Sequence, residues 1–440
     1  MRFEELREKY SKFIYRDYFI RFEGDMCYVE YLFEIPGLSQ FHPKWEFPVK
    51  KEVDKDILDR LVFCLGMVEA ISYYKCTCAP VMEIECGKLS AKQKEWWIKL
   101  FYNGLGEFMY LNNIEISQED LMTIVCEEGD EIPLADKNVY EGCLIPVGGG
   151  KDSVVSMELL KNERVATYHI NYPSAIREVV EVYDEKEYDY CAVRKLCANM
   201  LELNKQGFLN GHTPFSAIVA FSTIISAMLT GKKYIVLSNE NSANETTVKD
   251  SFVNHQYSKS YEFEEDFEWY IRTVTDSDIH YFSLLRPLAE IQIAALFSKF
   301  EKYHSIFRSC NVGSKTGVWC CDCPKCLFVY IILCPFIKED NMIKMFGEKL
   351  LDKPSLEEDF KKLTGILEDK PFECVGTRKE VMVALKAYVT SGGQSMLTDK
   401  YREVILAQKD NLSDMLKGWN DENNVPQEFA EIVKRSMNIG

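Results

Sequence analysis

An α/β fold built on a parallel sheet is predicted by three features of the sequence. A short apolar strand at 144–147 runs into three glycines and then into a helical segment. The same strand–helix rhythm continues through 164–170, 215–229 and 234–237. A tight cysteine cluster at 310–326 marks a metal knot attached to that core. Strands that alternate with helices have both sheet faces covered, which is the arrangement of parallel α/β domains.

The elements follow in order. Residues 15–35 alternate apolar and polar side chains on either side of Gly24-Asp25, the pattern of a β-hairpin. Two amphipathic helices are expected near Lys55–Lys75 and Ala91–Asn112, with the strand-like CAPVMEIE between them. Residues 1–137 therefore read as an N-terminal α+β domain, assigned here to substrate recognition. The acidic, turn-rich stretch at 126–138 reads as its linker. Residues 138–337 are expected to form the α/β domain that carries the glycine turn and the cysteine knot. Residues 338–440 form a charged helical subdomain, in which Thr377-Arg-Lys-Glu380 carries a capping-box signature.

Composition narrows the function. Of 440 residues, 47% are apolar and 28% charged, which supplies a core and excludes wholesale disorder. With 52 Lys and Arg against 69 Asp and Glu, the net charge of −17 argues against a nucleic-acid partner. A local convergence of cations and backbone N–H groups can still hold an anionic small molecule. The segment MRFEELREKYSKF lacks the apolar stretch of a secretory signal. The longest apolar runs, 215–229 and 326–337, fall short of the roughly 18 residues of a membrane span. Sixteen cysteines without a signal peptide suggest reduced thiols, a metal site and a cytoplasmic enzyme with no membrane partner. Nothing in the pattern sets the oligomeric state.

The sharpest motif is Leu144-Ile-Pro-Val-Gly-Gly-Gly-Lys-Asp-Ser153. Glycines at a strand-to-helix turn let an anion approach bare N–H groups at a helix N-terminus. A Walker A loop needs Gly where Ile145 stands and Ser or Thr where Asp152 stands, and GxGxxG needs Gly in place of Ser153. The segment resembles the PP-loop pattern SGGxDS, with Gly148 in place of the opening Ser. That resemblance implies ATP cleaved between its α- and β-phosphates. Gly149, Gly150 and Ser153 would hold pyrophosphate, with Gly148 in the same nucleotide-binding turn; Asp152 would stand near Mg2+, and Lys151 would balance charge.

Cys310, Cys320, Cys323 and Cys326 have the spacing of a four-thiolate structural Zn2+ site. An iron–sulfur cluster uses the same donors and stays open, and Cys321 is a fifth thiol able to replace Cys320. Asn239, Glu240, Asn244 and Glu245 follow the strand ending at Leu237, where an open parallel sheet places its ligand crevice; a solvated loop is the alternative. His255, Tyr257 and Lys259 alternate, so on a strand they share one face, and His255 suits acid–base work. Arg286 precedes Pro287, which holds it extended, and is a candidate for phosphate or carboxylate. Cys374 lies just before a capped helix, where a thiol is able to carry protons or simply pack.

A PP-loop followed by a four-cysteine knot is similar to the shorter 7-cyano-7-deazaguanine synthases, which leaves an amide-, nitrile- or thio-forming enzyme as the alternative. The fuller resemblance is to the UDP-N-acetylmuramoyl-L-alanyl-L-glutamate epimerase family. It rests on VGGGKDSVVSMELL, LSNENSANE, VNHQYSKSYEFE, FSLLRPLAEIQIAALF, SCN, WCCDCPKCLFVYIIL and KPFECVG, and spans roughly residues 140–390. It implies Gly in the family where Cys321 stands. It also implies that ATP adenylates the terminal L-glutamate of a UDP-muramyl dipeptide, with AMP, pyrophosphate and the D-glutamyl product leaving. Lys151, Asp152, His255 and Cys374 are then the catalytic candidates.

Overall fold

A computed structural model describes residues 2–244, 253–313, 317–368 and 370–438. The chain is α/β and forms two compact units, each assembled from separate stretches of sequence. The first takes Met1–Leu144, Tyr190–Ile235 and Phe252–His280; the second takes Ile145–Asp189, Val236–Ser251 and Tyr281–Gly440.

The first unit is built on a hairpin. Strands β1 (Lys12–Glu23) and β2 (Met26–Ile35) pair antiparallel across the Gly24-Asp25 turn. Along β2, Cys27, Val29, Tyr31, Phe33 and Ile35 are buried and their neighbours are not, as period-two patterning requires. A short β3 (Ser39–Phe41) and β4 (Lys44–Pro48) pair with β2, while β5 (Val81–Leu89) runs parallel to β1 and β6 (Thr123–Glu128) parallel to β5. The helix Lys55–Tyr74 starts at Asp54, whose carboxylate accepts the N–H groups of Asp56 and Ile57. It is buried along most of its length, and the later helix Phe215–Thr230 packs against it. The expected helix at 91–112 is two helices, Ala91–Gly104 and Gly106–Leu111, broken at Leu105.

Strands β7 (Cys143–Pro146), β10 (Tyr234–Leu237) and β11 (His280–Ser283) each begin in the first unit and end in the second; β7 lies between β8 (Val165–Ile170) and β10, with β11 beyond β10. Strands β7 and β10 are parallel, so their carboxyl ends face one edge. Strand β9 (Tyr188–Lys195) passes into the first unit at Tyr190, and its first-unit residues Val193–Lys195 pair antiparallel with β4. Helix Lys151–Leu159 leaves β7 and packs on helix Glu290–Phe297, which also meets Pro324–Leu333 and Arg378–Thr390. The capping box is present: the Thr377 hydroxyl accepts the Glu380 N–H while Glu380 accepts the Thr377 N–H.

Candidate active site

The glycine turn sits where β7 ends. Gly149 has φ +80°, a left-handed backbone, and a Cβ added there would lie 2.9 Å from the Ala175 carbonyl oxygen. Glycine is thus demanded by the turn itself. The Gly149 carbonyl accepts the Arg308 N–H at 2.9 Å, and Gly150 caps the following helix without any side chain on its first N–H groups. The Ser153 hydroxyl turns back to donate to the Gly150 carbonyl at 3.1 Å.

Lys151 lies beneath this turn, 1% exposed, with its ammonium in contact with both the Asp152 and Glu290 carboxylates. Burial alone would lower its pKa, but the Asp152 and Glu290 charges outweigh that and hold it above its ordinary value. Glu290 is 2% exposed, and burial pushes it up to about 8 against the pull of Lys151, with Asp152 and Glu240 adding repulsion. An ammonium between two carboxylates keeps its proton, so Glu290 is the member of the group that gives way. Glu290 opens its helix, as Lys151 does. Glu380, also buried, accepts the Ile291 N–H at 3.3 Å and so ties a third helix start to the same place.

At the neighbouring edge, Arg286 is fully buried and donates from Nη1 to the Glu240 carbonyl at 2.8 Å. Asn239 donates to Ser283 Oγ at 3.1 Å, and the Ser242 hydroxyl donates to the Glu240 carboxylate at 2.9 Å. Lys325 is buried with its ammonium on the Cys374 carbonyl, and its charge acts on Glu290. The site therefore pairs positive side chains and bare helix N–H groups with several carboxylates. That composition suits an anion escorted by a divalent cation.

The sulfur atoms of Cys310, Cys320, Cys323 and Cys326 all lie within 4.8 Å of one another. Cys326 Sγ is 3.5 Å from Cys320 Sγ and 3.4 Å from Cys323 Sγ. Four sulfurs at about 2.3 Å from one tetrahedral zinc stand about 3.8 Å apart, so this set is able to hold a metal. Cys321 points elsewhere: its thiol donates to the Phe346 carbonyl at 3.0 Å, and burial pushes its pKa up to about 11. It does not stand in for Cys320. Trp319 packs edge-on against Phe307 and tilted on Phe346 beside the knot.

The MurL N-terminal domain sequence family matches residues 4–284, and the MurL C-terminal domain matches 303–413. The chain belongs to the MurL family. Relatives named UDP-N-acetyl-alpha-D-muramoyl-L-alanyl-L-glutamate epimerase come from three organisms. That of Xanthomonas oryzae pv. oryzae is 32% identical over 73% of this chain and 72% of its own. The Salinispora tropica relative is 32% identical over 74% and 73%. The Micromonospora relative is 30% identical over 87% of both chains. No solved structure matches.

Within this MurL-family chain, several sequence expectations change. His255, Tyr257 and Lys259 do not share a strand face: the Asn254 side chain accepts the Gln256 N–H at 2.8 Å, and the chain turns into a 3-10 helix at Tyr257–Lys259. His255 belongs to the first unit, where it contacts Glu107 beside His212. Arg286 is in the turn after β11, its N–H on the Ser283 carbonyl, and not in an extended segment. Asn244 ends the 3-10 helix Asn241–Asn244, and Glu245 lies outside the described residues. Cys374 is half-buried next to Glu373, which accepts from Asn311. Sequence reasoning passed over Glu290, Lys325, Glu107 and His212. A carboxylate alone at the head of the apolar run Glu290–Phe297 was the one available signal for Glu290. Among the described residues no helix is long and apolar enough to cross a membrane.

Proposed function

We propose that this chain inverts the terminal L-glutamate of UDP-N-acetylmuramoyl-L-alanyl-L-glutamate, an isomerisation serving peptidoglycan precursor synthesis. The observation that carries the reading is the match to relatives named for that epimerisation over up to 87% of the chain. ATP serves as co-substrate at a PP-loop. The glutamate α-carboxylate attacks the α-phosphorus, its mixed anhydride with AMP forms, and pyrophosphate leaves. Capping the carboxylate removes the negative charge that otherwise opposes a carbanion at Cα, so an ordinary side-chain base suffices to take the Cα proton. Return of a proton to the opposite face inverts the centre, and water then releases AMP.

In this scheme Gly148, Gly149, Gly150 and Ser153 cradle pyrophosphate. Asp152 would hold Mg2+, while Lys151, kept charged by Asp152 and Glu290, would balance the phosphate charge from beneath the turn. Arg286 shapes the adjoining edge by donating to the Glu240 backbone carbonyl. The four-cysteine knot holds a structural zinc. The test is incubation of the protein with ATP, Mg2+ and the L-glutamyl substrate in heavy water. AMP, pyrophosphate and a D-glutamyl product carrying one deuterium at Cα are expected. ADP, or unchanged configuration at Cα, overturns the proposal.

A further inference from the structure

We infer that Glu107, His212 and His255 form a binding site for a divalent transition-metal cation, zinc or one of its neighbours, in the first unit. Glu107 Oε2 lies 3.5 Å from His212 Nδ1 and in contact with His255 Nδ1. The two imidazole rings are 4.5 Å apart. One donor atom from each residue falls within 4.8 Å of the other two. Donors sharing a tetrahedral zinc at 2.0–2.1 Å stand about 3.3 Å apart, so the trio needs only small adjustment to close on an ion.

Three stretches far apart in sequence are stitched together to make this convergence. A Cβ on Gly104 would lie 2.6 Å from Pro214 Cγ, and one on Gly211 would lie 3.1 Å from Phe108 Cδ2. A side chain at Gly104 would collide with Pro214 and one at Gly211 would crowd the Phe108 ring, so the 211–214 segment lies close against the helix start that carries Glu107. Lys75 donates to the Gly211 carbonyl at 2.7 Å, and the Asn112 amide donates to the Asn210 carbonyl at 3.3 Å. Both bonds hold the backbone beside His212. His255 is set by the turn before Tyr257–Lys259, which packs on the helices Ala91–Gly104 and Phe215–Thr230.

The donor chemistry fits. Two imidazoles and one carboxylate are the protein ligands of zinc sites that keep a fourth position open. Lys75 and Lys259 lie near enough to His212 for their charges to be felt there. Their charge disfavours a bare cation and favours one whose open position takes an anionic oxygen. His255, nominated by the sequence for proton transfer, is on this reading a ligand. The inference is independent of the reaction proposed above.

Metal counting on the full-length protein tests it. The zinc-containing protein is titrated with Co2+, and total zinc plus cobalt per chain is measured by elemental analysis alongside the visible spectrum. Two ions per chain are expected: one in the cysteine knot, and one whose cobalt form shows ligand-field absorption without a thiolate charge-transfer band. His212→Ala and Glu107→Gln should each hold one ion and lose that spectrum, with the unfolding temperature no longer raised by added metal. A wild-type chain that binds one ion, or variants that still bind two, overturns the site and leaves a hydrogen-bonded histidine–glutamate trio. The wild-type count decides even where a variant fails to fold.

Discussion

Lys151 and Glu290 are the residues on which the candidate site turns, because each is buried and their side chains are in contact. Lys151→Met removes the cation that both Asp152 and the buried Glu290 contact. Breaking a buried pair in this way costs about 3–5 kcal/mol, and on the proposed role of Lys151 in balancing phosphate charge, its loss lowers turnover by about 10²-fold or more. Urea unfolding and initial rates of pyrophosphate release measure the two effects separately. Glu290 also sets a pH dependence. Its ordinary value is 4.5 and burial raises it to about 8 in the folded chain. Between those limits the folded state binds more protons than the unfolded state, so this group's contribution to stability falls as pH rises through the window. Glu290→Gln has no such proton. The stability of the wild type relative to that variant should therefore decline from the acidic to the basic end of the window, read as urea midpoints. A difference that grew toward the basic end would show that the Lys151 pairing governs instead.

At the scale of elements, the glycine turn separates two kinds of glycine. Gly149 combines φ +80° with a backbone oxygen 2.9 Å from any added Cβ, whereas nothing lies within 4 Å of a Cβ on Gly148. Gly149→Ala should cost about 1–2 kcal/mol from the left-handed backbone alone, and more from the clash with Ala175. Gly148→Ser, which restores the PP-loop pattern, should fold with an unchanged melting temperature. The knot offers a similar contrast: Cys326→Ser should lose its metal and Cys321→Ser should keep it, since the Cys321 thiol is committed to Phe346. Zinc content per chain reads both. The strand, turn and helix around 144–159 were legible because apolar period and glycine clustering are local signals. The segment at 255–259 misled because alternation there is cut short by an Asn254 side chain that bonds the backbone two residues on. Glu290 was illegible for another reason. A carboxylate gains its meaning from Lys151, 139 positions away, and one sequence carries no trace of that pairing.

The whole molecule is interleaved, and that sets what fragments of it will do. A chain cut after residue 144 keeps β1 to β6 and the helices Lys55–Tyr74 and Ala91–Gly104, but loses the stretches Tyr190–Ile235 and Phe252–His280 that complete the first unit. Trp97 is fully buried by partners from those stretches: its ring stacks 5.3 Å from Phe221, and its N–H donates to the Tyr270 hydroxyl at 2.8 Å. Trp96 likewise lies 4.4 Å from Tyr270 and donates to the Asp266 carbonyl. Without them, the helix Lys55–Tyr74 also loses its cover from Phe215–Thr230 and exposes a broad apolar surface. The fragment 1–144 should therefore be poorly soluble or lack a cooperative transition, with tryptophan emission shifted to the red of the full-length chain. A longer fragment that appends residues 190–280 through a flexible linker should recover a cooperative melt and the blue-shifted emission. If the shorter fragment alone unfolds cooperatively with buried tryptophans, the later stretches only decorate a self-sufficient domain, and the boundary read from sequence at 137 is the physical one.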